Sequence, residues 1–176
     1  KRALGSLADI NNSLLRATPG TSAYAQLLDS RDSALQDLTK NLNVDISFGA
    51  RDTAQISFGG QTLVSGNVAS TVAVSAGTDG RLSLSLADGT ALSTPANGAL
   101  GGLFSAAGTV ADRHTGLDTL AAQFVTDVNA WHAQGLTDGG ASGAPLLAYG
   151  GSAASVTALN VYPADLALRF ADGTLN

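Results

Sequence analysis

Few side chains in this 176-residue sequence can do chemistry: two His, fourteen acidic residues that are all Asp, abundant Ser, and no Cys. A hydrolytic centre needs a nucleophile with a base in reach, and the bases on offer are His114 and His132. Both fall in what reads as one helix, where their separation in sequence corresponds to roughly 27 Å at 1.5 Å per residue. They can share neither a metal nor a proton relay. No G-x-S-x-G elbow aims a Ser at either of them. Paired carboxylates can hydrolyse glycosides, and Asp29/Asp32 and Asp9/Asp112 are conceivable pairs. Asp so commonly caps and solvates helices, however, that the ordinary structural role outweighs the catalytic one. Neither G-x-G-x-x-G nor G-x-x-x-x-G-K-[ST] occurs. The loop Gly139-Gly140-Ala141-Ser142-Gly143 has no neighbouring Lys and reads as a connection, not a phosphate cradle. The sequence therefore assigns no catalytic residue, no cofactor and no metal site, and predicts a protein that is not an enzyme.

Composition narrows the partners. Nine Lys/Arg against fourteen Asp leave a net charge of −5, and the basic residues are scattered. Duplex affinity rests on clustered basic side chains, so nucleic acid is not expected. No run approaches the eighteen or more apolar residues of a membrane span, so no membrane partner is expected either. Charged residues are 13% and hydrophobic ones 44%, the latter too periodic for disorder. The length suits one domain, or one domain with a small insert.

The elements that must position these residues follow from periodicity. Ala3, Leu7, Ile10 and Leu14 form one stripe of a helix over 3–17, which Thr18-Pro19-Gly20-Thr21 ends. A second helix is predicted over 22–42, capped by Ser22, with Tyr24, Leu28, Leu35, Leu38 and Leu42 on its seam and Arg31 as a polar residue on that seam. The period then drops to two: Val44, Ile46 and Phe48, then Ala54, Ile56 and Phe58, then Leu63. Val72-Val74 and Leu82-Leu84-Leu86 continue it, with turns at Gly59-Gly60, Asp79-Gly80 and Asp88-Gly89. From Gly98 the helical period returns. Leu100, Leu103, Ala107, Val110, His114, Leu117, Ala121, Phe124, Val128 and Trp131 alternate spacings of three and four, the pattern of a coiled-coil seam.

The expected fold class is α+β: an elongated antiparallel helical rod with an inserted small antiparallel β domain. The rod would take residues 1–42 and 98–176, with an irregular tail over 136–176, and the β domain residues 43–97. On that division the β segment should be replaceable by a short linker. A third helix returning antiparallel to the second would place Arg31 near Thr109 and Asp112. Its stripe Leu120, Phe124, Val128 and Trp131 would extend past the hairpin, and residues 145–170 are the local segment able to cover it. Val156 to Val161 reads as a strand, while Pro163-Ala164-Asp165 is left open between a helix turn and an extended segment.

Five short motifs occur in order. They are Leu27-Leu28-Asp29-Ser30-Arg31-Asp32, Leu63-Val64-Ser65-Gly66, Leu100-Gly101-Gly102-Leu103, Leu117-Asp118-Thr119-Leu120-Ala121, and Val128-Asn129-Ala130-Trp131-His132-Ala133-Gln134-Gly135. Together they resemble the flagellar hook-associated protein 1 family, the junction between hook and filament in bacteria. The first helix with its asparagines resembles it less specifically, and the tail after Gly143 matches poorly. The resemblance implies a structural subunit of the bacterial flagellum, extracellular and secreted through the flagellar export apparatus. Its partners would be the flagellar hook protein, the other hook-filament junction protein and copies of itself. The chain would be a central fragment lacking the terminal coiled-coil regions, and a monomer in isolation. Leu28, Asp29, Arg31, Asp32, Leu100, Leu103, Asp112, Leu117, Leu120, Asn129, His132 and Gly135 are the structural residues of interest. The alternative of another class is an extracellular binding or adhesin module that holds a glycan or host ligand on the β domain.

Overall fold

The computed structural model describes residues 2–159 and 162–175. Among the described residues, three α-helices and nine short strands make an α+β fold. Helix α1 (Arg2–Arg16) buries Leu4, Leu7, Ala8, Asn11 and Leu14, one stripe at spacings of three and four. Helix α2 (Ser22–Asn41) is capped by Thr21, whose hydroxyl accepts from the Tyr24 N–H at 3.2 Å. The cap is therefore one residue earlier than Ser22: Thr21 is the residue with extended backbone, so its side chain can turn back on the first turn.

Strands β1 (Asp45–Phe48), β2 (Ala54–Phe58), β3 (Gln61–Ser65) and β4 (Val68–Ala69) form one antiparallel sheet in sequence order. The β2–β3 hairpin turns on Gly59 and Gly60, whose φ values of 56° and 79° suit a primed turn. A second sheet holds β5 (Val72–Ala76), β6 (Leu82–Leu86) and β7 (Ala91–Leu92). In the β6–β7 turn the Thr90 backbone N–H, 2.9 Å from the Asp88 carboxylate, holds that carboxyl below its ordinary range. Helix α3 (Gly98–His132) follows, and a two-stranded pair, β8 (Leu147–Ala148) and β9 (Thr157–Ala158), closes the order. Pro163–Asp165 forms a 3₁₀ turn, which resolves the choice left open by the sequence. The strand expected to Val161 is seen as Thr157–Ala158, and its last two positions lie outside the described residues.

The chain divides into two compact units, Lys1–Ala111 and Asp112–Asn176, with the boundary inside α3. That differs from the division of 1–42 with 98–176 against 43–97. The physical reason is a shared core: Leu4 and Leu7 of α1 and Leu35 and Leu38 of α2 are buried together with Ile56, Phe58, Leu63, Val64 and Leu84 of the strands and Phe104 of α3. Neither the helices nor the sheets of the first unit keep a separate core.

Two glycines bring α3 into this unit. Gly98 has φ 73°, and a Cβ there would stand 2.7 Å from the Asn41 carbonyl oxygen at the end of α2. Gly101 packs so closely that a Cβ would meet the Ala96 carbonyl carbon at 2.7 Å, whereas Gly102 has open space. The Gly-Gly pair of the third motif is thus asymmetric. Gly101→Ala should cost about 1–3 kcal/mol through overlap with backbone that cannot yield. Gly102→Ala should stabilise by up to ~1 kcal/mol, the helix-propensity difference between Gly and Ala. Urea midpoints of the two variants, measured against the parent chain, check this ordering.

Candidate functional site

The residues of the five motifs do two separate jobs. One set is buried and binds main chain. Outside the motifs, the first unit holds a residue of the same kind that the sequence does not single out: Asn11, fully buried on α1. Its Nδ2 donates to the carbonyls of Ala54 (2.7 Å) and Gly66 (2.8 Å), and its Oδ1 accepts from the Ala54 N–H (2.8 Å). One side chain thereby fastens the helix to the start of β2 and to the Gly that ends the Leu63-Val64-Ser65-Gly66 motif.

Arg31 works in the same way. Its Nη1 donates to the Asp52 carbonyl at 2.7 Å, while Nε and Nη2 reach the Asp32 carboxylate at 2.9 and 2.7 Å. The guanidinium carbon lies 4.5 Å from the centroid of the Phe48 ring. These partners, all in the first unit, take the place of the expected Asp112. The loop they hold is strained, since Arg51 and Asp52 both adopt left-handed φ, 53° and 56°. Arg51 in turn donates to the carbonyls of Leu15 (2.8 Å) and Ala17 (3.1 Å) at the end of α1. The Tyr24 hydroxyl sits 2.9 Å from both the Arg51 carbonyl and the Asp52 carboxylate. Burial first, then the hydrogen bond and charge of Asp52, push the Tyr24 phenol above its ordinary value, so it keeps its proton and donates. Asp29 is exposed, and Leu28 is half-buried.

In the second unit the final two motifs bind the segment that follows α3. The Asp118 carboxylate accepts from the Ala153 N–H at 2.7 Å, and its carbonyl accepts from the Tyr149 hydroxyl at 3.1 Å. Asn129 accepts at Oδ1 from the N–H groups of Leu146 (2.8 Å) and Leu147 (3.0 Å), and donates through Nδ2 to the Leu147 carbonyl (2.9 Å). His132, 1% exposed, lies 2.7 Å through Nδ1 from the Ala144 carbonyl and receives the Ala167 N–H at Nε2 at 2.9 Å. Gly135 is buried, and its carbonyl accepts from the Gly143 N–H at 3.3 Å. Gly143 packs close to the imidazole, where a Cβ would come 2.7 Å from Cε1. The sequence marked Asn129, His132 and Gly135 but carried no sign of Gly143, whose role rests on contact across a loop.

The other set is exposed. Leu103, Val110, Leu117, Phe124 and Trp131 recur every seventh residue along α3 and are between 46% and 57% exposed. Leu120 is exposed beside them, as are Asp112 and His114. The seam read from the sequence is thus displaced by one residue from the face that is covered. The covered line is Phe104, Ala111, Asp118, Val125 and His132, buried throughout apart from a half-buried Asp118, and Leu100 stands at its edge. Residues 145–170 were expected over Leu120, Phe124, Val128 and Trp131; Val128 is half-buried and the other three are exposed, and the described part of that segment is held on the adjoining face, because Asp118, Asn129 and His132 offer its backbone the hydrogen bonds an apolar stripe lacks.

A cleft over one end of the first unit's core is lined by Ala3, Leu4, Leu38, Leu42, Val72 and Leu100, with Asp37 and Asn41 beside them, and is mainly apolar. Among the described residues no group of three or more His and Asp is placed to hold a metal ion.

A comparison with curated proteins gives no match. Among solved structures, the flagellar hook junction protein FlgK from Burkholderia pseudomallei is similar, with a TM-score of 0.64 and 25% identity over 84% of this chain. The chain spans 28% of the length of that protein. The family model for the flagellar hook-associated protein FlgK helical domain matches residues 1–147, a stretch that contains all five motifs. With most of its length so matched, the chain belongs to the flagellar hook-associated protein FlgK family, in the part that forms the helical domain.

Proposed function

We propose that this chain is the helical portion of a hook-filament junction subunit, extracellular in the assembled flagellum and mechanical in role, with no reaction to catalyse. Its partners on this reading are the hook protein, the other junction protein and further copies of itself. The observation that carries the reading is the heptad-spaced row Leu103, Val110, Leu117, Phe124 and Trp131, left exposed on a helix whose adjoining face is largely covered. A row at intervals of seven is what a neighbouring helix packs against by knobs into holes. A helix tied down on one face and apolar on another suits a part that packs between unlike assemblies.

The test uses the full-length protein in cells that lack their own copy. The double variant Leu117→Asp, Phe124→Asp should be made and exported, yet leave hooks without filaments, because two charges in the row repel a packed helix. Normal filament number and swimming would overturn the assembly role of this row. Far-UV circular dichroism of the same variant in the 176-residue chain should match the parent, since both positions are solvent-facing.

A further inference from the structure

Asn97 is followed by Gly98, and no other Asn in the chain precedes a Gly. The pair stands where the main chain leaves the second sheet for α3, and both residues are exposed. Gly98 has φ 73° and no Cβ, so nothing screens its nitrogen from the side chain before it. That nitrogen opens a helix, whose first N–H groups have no partner within the helix. Among the described residues no hydrogen bond ties down the Gly98 N–H or the Asn97 side-chain amide; the Asn97 carbonyl alone is engaged, by the Gly101 N–H at 3.2 Å. An unbonded main-chain nitrogen thus lies next to an unbonded carboxamide. Asn67 is also exposed in a turn, but it precedes Val68, whose branched Cβ crowds the same approach.

We propose that Asn97 is a self-modifying site: the Gly98 nitrogen closes onto its side chain, and hydrolysis of the ring leaves aspartate or isoaspartate at the start of α3. The nitrogen gives its proton to solvent base and attacks Asn97 Cγ. The new N–Cγ bond closes a cyclic imide as the Cγ–Nδ2 bond breaks and ammonia leaves. Water then opens the imide on either side. Cleavage of N–Cγ restores the main chain with aspartate at 97. Cleavage of the backbone C–N bond leaves isoaspartate, whose chain path runs through Cβ and Cγ. The sum is a carboxamide plus water giving a carboxylic acid plus ammonia, with nothing oxidised or reduced. The two products differ in what they do to α3. Aspartate keeps the path and sets a negative charge at a helix N-terminus, where it is favoured. Isoaspartate lengthens the main chain by a methylene between two close contacts. A Cβ on Gly98 would stand 2.7 Å from the Asn41 carbonyl oxygen, and one on Gly101 2.7 Å from the Ala96 carbonyl carbon. The longer path displaces backbone from one contact or the other.

The experiment ages the 176-residue chain in mildly alkaline buffer, one sample folded and one in guanidinium chloride. Both are followed by peptide mapping with mass spectrometry that separates aspartate from isoaspartate. The expected result is the amide-to-acid mass gain at Asn97 in both isomers, well ahead of Asn67. The folded rate should lie within about tenfold of the unfolded one, since an exposed, unbonded site needs no costly local opening. A folded rate slower than that, or a gain at Asn67 equal to that at Asn97, would overturn the proposal. Brief proteolysis of the aged chain in moderate urea then reads the consequence. Isoaspartate should be depleted from the resistant fraction while aspartate at 97 is retained. An isoaspartyl form that resists as well as the aspartyl form would overturn its effect on the start of α3.

Discussion

Asn11→Ala is expected to remove a large share of the stability of the first unit. The variant strands the N–H and C=O of Ala54, which is fully buried, and takes a donor from the Gly66 carbonyl. Orphaned buried groups cost about 1–3 kcal/mol each, so the two on Ala54 alone amount to about 2–6 kcal/mol. A domain of this size holds ~5–15 kcal/mol in total. Asn11→Leu should be no better although it restores volume, since the main-chain groups stay unpaired. Asn11→Asp keeps an acceptor for the Ala54 N–H but loses both donors and buries a charge. Urea denaturation followed by far-UV circular dichroism reads the loss. A cost under ~1 kcal/mol for all three would show that Ala54 and Gly66 find other partners.

Replacing residues 44–96 with a short Gly/Ser linker should abolish the cooperative fold of α1 and α2. The segment supplies Val44, Ile56, Phe58, Leu63, Val64, Leu84 and Leu92 to the buried core. Even at ~1.5 kcal/mol apiece these side chains contribute about 10 kcal/mol, on the scale of a whole domain's stability. Leu4, Leu7, Leu35 and Leu38 would lose the surface they pack on, and Asn11 all its partners. Helical circular dichroism should fall, and the remaining signal should melt without a sharp transition. A variant that retains the full helical signal and a cooperative melt would show that the helices carry their own core, as periodicity alone suggested.

These outcomes mark where the sequence was readable. Helix and strand positions followed from spacing, because a period of 3.6 or 2 is a local property of the chain. What covers a face is not local. The α3 seam was found as a stripe, yet a stripe of leucines does not say which neighbour meets it, and the covered face one residue along carries Asp118, Asn129 and His132, whose value lies in hydrogen bonds to distant backbone. Asn11 was legible in principle: like Arg31, it is a polar residue on an apolar stripe, midway between Leu7 and Leu14. Both turned out to reach main-chain groups across 20 to 60 positions of sequence, a range at which composition and periodicity are silent. The insertion of the strands looked separable because they enter and leave next to each other, at Leu42 and Gly98. Proximity of the ends says nothing about which faces are shared.

The clamps on α3 have a further consequence for how this protein can drift. Asp118, Asn129 and His132 grip peptide groups of Ala144, Leu146, Leu147, Ala153 and Ala167, and use none of the side chains of those residues. A grip on the peptide unit is indifferent to which amino acid supplies it. At gripped positions that are not buried, such as Ala144 and Ala153, the segment after α3 is thereby free to change its letters while keeping its path, provided no Pro removes a gripped N–H; Gly143, Tyr149 and Ala167 are fixed by their own contacts. Substitutions should accumulate on the held strand and be purged from the three holders, so that kinship fades along the sequence sooner than it fades in space.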